Sequence, residues 1–466
     1  MTPTPRDRET NTGGRPRCAA IPILLALTAI GCGSDEGHTD ASLDGTWRSK
    51  GYGLAARFDQ GAYTLYQITH DRCYREAEGT VDNTLEDPEI GVPVDVDGTA
   101  ATRRFMLELA GDELVVRDTS TYRVGYERAE LPEDCASAEG FADDDPEVNF
   151  ESLWWVFAEQ YAFFEPQGVD WQAIYDVSRP MVTPSTTPDE LFAIAGAALG
   201  EFSDYHVSLS NGVDSISRPP PLDIITNIAA IQSHVETTYL AAADVTRTGN
   251  DLIAFRRLPD GVGHVVILSM FGFGDLAAHD PVRTELTGAG AAIDEVIAAL
   301  ADAPAIIVDV RFNSGGLDGV ALEIAGRFAD QERVAFRKHA RDGDGSTESR
   351  EFVVRPAGPQ QYLGEVRVLT SAITVSAAEV FVMAMRELPH VVVMGDTTAG
   401  SHSDILERTM PNGWVVGLSN EVYTAADGRI YERIGIPPGM PIALDAPGFA
   451  EGRDAILEAA LAAIEG

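Results

Sequence analysis

The stretch that most limits the fold is Ala305-Ile-Ile-Val-Asp-Val310, followed by Arg311-Phe-Asn-Ser-Gly-Gly316. Its middle is apolar without alternation, the pattern of a strand covered on both faces. The Gly-Gly turn leads into a helix predicted over Leu317 to Ala329. The same order recurs downstream. Val366-Arg-Val-Leu369 is a short β-branched run, and Ala377 to Leu388 places Val380, Phe381, Ala384 and Leu388 on one helical face. Val391-Val-Val-Met394 is the next strand. Upstream, His264-Val-Val-Ile-Leu-Ser269 reads as a strand and Ala291 to Leu300 as a helix. Strands alternating with helices predict an α/β core over residues 264–466.

The chemistry gathers at Thr374-Val-Ser-Ala-Ala-Glu-Val-Phe381. A turn of small residues leaves Ser376 at the helix start. Backbone N–H groups there have no intrahelical partner, and the helix dipole favours negative charge. A serine so placed can attack a carbonyl while the N–H of Ala377 holds the resulting oxyanion. Ser376 with Glu379 also fits a capping box, in which the serine only caps the helix. Both roles fit this stretch. The Gly315-Gly316 turn exposes amides at another helix start, a second place to hold an anion.

Acids outnumber bases 73 to 34 over 466 residues, a formal charge of −39. Phosphate binding needs clustered Lys and Arg, so nucleic acid is excluded as a partner, and an anionic membrane surface is disfavoured. The first 32 residues read as an export signal rather than fold. Arg6, Arg8, Arg15 and Arg17 make a basic leader, and Ala19 to Ile30 is apolar but too short to span a bilayer. The end of this signal, Thr28-Ala-Ile-Gly-Cys32, resembles a bacterial lipoprotein signal, with residues 33–40 as a tether. Lipid attachment at Cys32 is expected, with the protein periplasmic or anchored to the outer membrane; plain secretion is the alternative. Cys18 lies in the leader. Cys73 and Cys135 remain as an even pair in an oxidising compartment and are predicted to form a disulfide. No Cys-x-x-Cys pattern or His/Glu cluster suggests a metal, and no cofactor is expected.

Residues 41–138 alternate polar and apolar residues, as in Ala62-Tyr-Thr-Leu-Tyr-Gln-Ile68, and predict a separate small all-β domain, a barrel or a sandwich. Residues 139–149 are an acidic linker. Residues 150–210 form a helical subdomain, with Phe150, Leu153, Trp154, Phe157 and Tyr161 on one stripe and Pro188 opening a later helix. His206 sits where that subdomain gives way to a strand-rich connector, residues 211–263. The connector is too short for a complete peptide-binding PDZ insert.

Five segments in order resemble the C-terminal-processing and tricorn-type serine peptidases. They are Asp204-Tyr-His206, Asp309-x-Arg-x-Asn-x-Gly-Gly316, Ser376-Ala-Ala-Glu379 with Phe381, Gly395-Asp-Thr-Thr-Ala-Gly400, and Tyr431-Glu-Arg-Ile-Gly-Ile-Pro-Pro438. The resemblance covers about residues 150–445. Processing proteases place a lysine after the Thr-x-Gly of the fourth segment; here that position is Ser401. The chain therefore resembles the histidine-containing tricorn and retinoid-binding branch. That resemblance implies a crotonase-like α/β core and a serine endopeptidase without metal. It implies Ser376 as nucleophile, His206 as base, Glu432 as the acid orienting it, and amides of Gly315 or Gly316 and of Ala377 as the oxyanion hole. His402 is a reserve base. Tyr205 stands where tricorn members have serine, and Gly439 where the family has aspartate. The implied partner is a peptide or unfolded protein. The alternative is a non-catalytic carrier of a small apolar ligand or peptide built on the same core.

Overall fold

In the computed structural model the described residues are 42–70, 72–84, 87–96, 99–138, 140–218 and 232–465. The expected signal, the tether and Cys32 lie outside them. The first structured region is eight antiparallel strands: Gly45–Ser49, Leu54–Asp59, Ala62–Thr69, Arg72–Thr80, Glu89–Val96, Thr99–Ala110, Glu113–Arg117 and Arg123–Arg128. Each pairs with the next except the fourth and fifth, and the first closes onto the eighth. The hairpin joining Asp59 to Ala62 has positive φ at both central residues, Gln60 (51°) and Gly61 (84°), the type I′ geometry that matches strand twist. Period-two alternation then sorts the side chains. Ala56, Phe58, Ile90, Leu107, Val116 and Tyr126 point inward and make one cluster, so the meander rolls into a barrel. Ala55, Tyr66 and Ile68 face the other way and are covered by the segment carrying Cys135. Cys73 and Cys135 are joined as a disulfide.

The core sheet runs in the order Thr246–Thr248, Ile253–Arg257, Gly263–Ile267, Ala305–Asp309, Glu365–Thr370, Val391–Gly395, Met440–Pro441. From Gly263–Ile267 onward neighbours are parallel. Both faces are covered, as the unalternated apolar runs require. Ile306, Val308, Val366 and Val368 pack under helices Pro281–Leu300, Asp318–Ala325 and Ala377–Met385. Ala305, Ile307, Leu369 and Met394 pack against the closing helix Ala455–Glu465. The helical region packs its aromatics, Phe157, Tyr161, Trp171 and Phe202, against Val416 and Leu418. Among the described residues no helix is long and apolar enough to cross a membrane.

Several elements differ from the sequence expectation. The helix expected over 291–300 begins a decade earlier, at Pro281, because Asp280 accepts the N–H of Arg283 and caps it there. The helix expected to run from 317 to 329 ends at Ala325. Val415–Ser419 and Glu421–Ala425 follow each other closely but belong to different sheets and separate at Asn420. Arg333–Asp342, Arg350–Val354 and Ile405–Thr409 are strands that the sequence pattern did not single out.

One buried ion triad ties the sheet to the closing helix. Arg311 is fully buried. Its guanidinium meets Asp309 at 2.6 Å and Asp454, just before that helix, at 2.8 Å on both oxygens. The arginine holds both carboxyls below the usual range, against the burial that would raise them. Removing one partner of such a set leaves charge buried without compensation. Asp454→Ala is expected to lower unfolding free energy by about 3 kcal/mol, read from a urea titration.

Candidate active site

Ser376 opens the helix Ala377–Met385, but not in the conformation of an ordinary cap. Its φ is 59° and its ψ −129°, where capping residues are extended, and its hydroxyl makes no cap hydrogen bond. A non-glycine residue at positive φ costs of order 1–3 kcal/mol and needs surrounding structure to hold it. Two contacts do so. The Ser376 N–H donates to the Ser401 carbonyl at 2.9 Å. Behind it, Gly315 approaches so closely that an added Cβ would lie 2.6 Å from Ser376 Cβ and 2.9 Å from the Ala377 nitrogen. Ser376 is only half-buried and lines a cavity of about 320 Å³.

Glu379 does not complete a capping box. Its buried carboxylate turns to the neighbouring loop, accepting from Thr398 Oγ1 (2.5 Å), Gly400 N (2.8 Å) and Ser401 N (2.8 Å). Burial pushes its pKa up to about 7, against the pull of those donors. This loop supplies the carbonyl that holds Ser376, so helix and loop are one unit.

The candidate oxyanion donors separate. The Gly315 N–H donates to Asn313 Oδ1 at 2.9 Å and is occupied. The Gly315 carbonyl accepts from Met270 and the Met270 carbonyl from Leu317, which clamps the turn. The amides of Gly316 and Ala377 have no hydrogen-bond partner among the described residues. Gly316 also lines the cavity.

His206 is buried beside the second half of the same loop. Its N–H donates to Asp204 Oδ1 at 2.9 Å, an Asx turn readable in Asp-x-His, and Asp204 Oδ2 accepts Tyr161 Oη at 3.0 Å. Burial lowers the imidazole pKa, while Asp204, Asp404 and the Ser403 carbonyl pull it up. Nδ1 of His206 is unpartnered, and no hydrogen bond joins His206 to Ser376 in this structure.

Glu432 departs from the expected contact. Its Oε2 accepts the N–H groups of His402 (3.0 Å) and Ser403 (3.1 Å), and no hydrogen bond links it to the His206 ring. Burial and the nearby carboxylates of Asp204 and Glu379 push its pKa well up. The fully buried His402 ring lies between: Nδ1 is 3.6 Å from Glu432 and 4.0 Å from Glu379, and neither nitrogen has a partner. Burial pushes its pKa down to about 3, so the ring is neutral. Sequence reading missed Glu379 as the anchor of this loop, because the serine–glutamate spacing suggested a local role. It also missed Asp204 as the residue that fixes His206, although the Asx-turn spacing carried that signal. Among the described residues no group of three or more His, Cys, Asp and Glu side chains is arranged to hold a metal ion.

The Gly315 contact is the most exposed to test. Gly315→Ala forces a Cβ into Ser376 at a backbone φ of 98°. The variant is expected to lose about 1–3 kcal/mol of stability in thermal unfolding and to displace the serine.

Residues 262–442 match the model of peptidase family S41, and residues 142–200 match the tricorn protease C1 domain. His206 lies between the two matched segments. The carboxy-terminal processing protease CtpA of Bacillus subtilis (strain 168) is 28% identical over 132 residues, 28% of this chain. The aligned stretch spans only 27% of that relative. A candidate peptidase from Parabacteroides merdae, solved by crystallography, is 28% identical with a TM-score of 0.59, and the match covers 70% of this chain and 98% of that one. The core over residues 262–442 thus matches peptidase family S41, and the helical segment ahead of it, residues 142–200, matches the tricorn protease C1 domain.

Proposed function

We propose that the protein is an exported serine endopeptidase that cleaves peptides or unfolded protein by an acyl-enzyme route. The observation that carries this reading is Ser376 itself: a half-buried serine held at φ 59°, with an uncapped hydroxyl on a cavity and unbonded amides at Ala377 and Gly316. Strain of this kind persists where a side chain must be presented rather than packed.

In the proposed reaction Ser376 Oγ attacks the scissile carbonyl carbon and its proton passes to His206. The carbonyl oxygen becomes an oxyanion, and the N–H groups of Gly316 and Ala377 donate to it. The C–N bond then breaks, His206 returns the proton to the leaving amine, and an acyl-serine remains. Water attacks this ester, giving its proton to His206, and the serine is released when the proton returns to Oγ. Glu432 serves as a positioning residue. It holds the His402–Ser403 backbone, whose Ser403 carbonyl stands beside the imidazole. The basic leader, the apolar run and Cys32 support attachment at the cell envelope.

Labelling with a fluorophosphonate tests the assignment. The label is expected on Ser376 and is lost in Ser376→Ala, with the melting temperature shifted by about 1 °C or less, since the hydroxyl makes no cap bond. Absence of labelling in the wild type would sink the peptidase reading.

The base is tested by pH. The folded His206 pKa lies below its ordinary value of 6.5, so the ring is a free base at neutral pH. The labelling rate is expected to stay flat from neutral to mildly alkaline pH and to fall only below about pH 6.5, where the ring becomes protonated. His206→Gln is expected to slow labelling by about 100-fold or more, and His402→Gln by much less. The reverse order would transfer the base to His402.

A further inference from the structure

The cavity that reaches Ser376 does not stop at the peptidase core. It runs into the barrel, where Ala56, Phe58, Ile90, Val92, Val116 and Tyr126 line it. These are inward-facing residues of four strands, so the space is the lumen of the barrel. At about 320 Å³ it falls in the range that takes a compact organic group. Its other end is lined by Gly316, Leu317, Asp318, Ser376 and Asp404. An apolar group seated in the lumen therefore leaves its chain pointing at the serine.

We infer that the barrel lumen is the specificity pocket of the peptidase, taking bulky aliphatic or aromatic side chains that flank the cleaved bond of a polypeptide. This deepens the function proposed above and rests on it. Two observations select that occupant. Ala56, Phe58, Ile90, Val92, Val116 and Tyr126 give the lumen an apolar stretch of wall, where burial of Leu- or Phe-type side chains drives binding, and Glu76, Arg103, Asp118 and Arg408 also line the cavity. The lumen and the serine share one cavity, so the occupant is part of the molecule being cut. Arg103, half-exposed at the wall, is held by Asp118 at 2.6 Å and lies 5.2 Å from the Phe105 ring and 5.0 Å from the Tyr122 ring.

The arrangement also gives the position of the barrel a physical reason. Gln67 of the barrel bonds the Thr409 carbonyl (2.8 Å) and N–H (3.1 Å), as a neighbouring strand would. Buried Arg408 donates to the Tyr52 carbonyl and to Gln160. These bonds hold the barrel mouth against the core rather than leaving it on a tether.

The test fills the lumen in the full chain. Val94→Trp and, from another strand, Ala56→Phe place bulk in the cavity without touching Ser376, His206 or the oxyanion amides. Both are expected to leave fluorophosphonate labelling within about twofold. They should lower kcat/KM at least about tenfold for peptides with Phe or Leu beside the cleaved bond, and leave Gly- or Ala-flanked peptides nearly unchanged. Equal loss for all peptides, or no loss, overturns the inference. Circular dichroism separates either result from misfolding, and one folded variant suffices. A second arm needs no turnover. A fluorescein-labelled decapeptide with a central Leu-Phe pair should bind Ser376→Ala by anisotropy, and adding Val94→Trp should weaken it at least about tenfold. Absence of binding, or binding unchanged by the plug, overturns the lumen assignment. If the wild type is never labelled, the peptidase reading fails by itself, and this binding arm still decides what the lumen holds.

Discussion

The site depends on one buried carboxylate. Glu379 projects from the first turn of the Ser376 helix and gathers Thr398, Gly400 and Ser401 onto its two oxygens. Those residues then return the favour through Ser401, whose carbonyl takes the Ser376 N–H. The loop's next residues, His402 and Ser403, are held in turn by Glu432. Two acids thus fix a loop of about eight residues between the nucleophile and the imidazole of His206. Each unpaired amide left by the loss of such an acceptor would cost about 1–3 kcal/mol, which explains why the arrangement is rigid.

The strain at Ser376 is sustained from the opposite side by glycine. The Gly315-Gly316 turn presses its backbone against Ser376 and Met270, at φ values only glycine adopts with ease. The turn sits at the carboxyl end of a parallel strand, and the Ser376 helix follows the adjacent strand. Loops at this end of neighbouring parallel strands converge by construction, which is why open α/β sheets bind ligands there. The strand–turn–helix order repeated along the chain is therefore already a statement about where chemistry can be gathered.

The joint between barrel and core carries its own polar network. Lys338 donates to Glu421 at 2.8 Å, Tyr52 of the barrel bonds the same carboxylate, and Tyr423 reaches Asp318 at 2.7 Å. Burial pushes Asp318 up to about 7, and Lys338 is raised by the surrounding acids. Buried charges of this kind bring little net stability, but they penalise a misaligned interface by leaving charges unpaired. That is a means of holding the lumen in register with the serine.

What the sequence by itself determined was local and periodic. Unalternated apolar runs required strands covered on both faces, alternating runs required the β-region, and turn residues placed Ser376 and the glycines at helix starts. The order of short motifs pointed to the peptidase family before any coordinates. Element ends were less legible: Asp280 moved a helix start by ten residues, and the helix after the Gly-Gly turn stopped at Ala325. The tertiary structure alone decided which partners each polar group took. Glu379 turned to a loop twenty residues away rather than to its own cap, Gly315 surrendered its amide to Asn313, Glu432 met the His402–Ser403 backbone rather than the His206 ring, and the barrel mouth came to lie on the serine. Spacing along a chain constrains which groups share a face of one element; hydrogen bonds and cavities between elements are chosen by packing, where many partners of equal chemistry compete and only the folded arrangement selects among them.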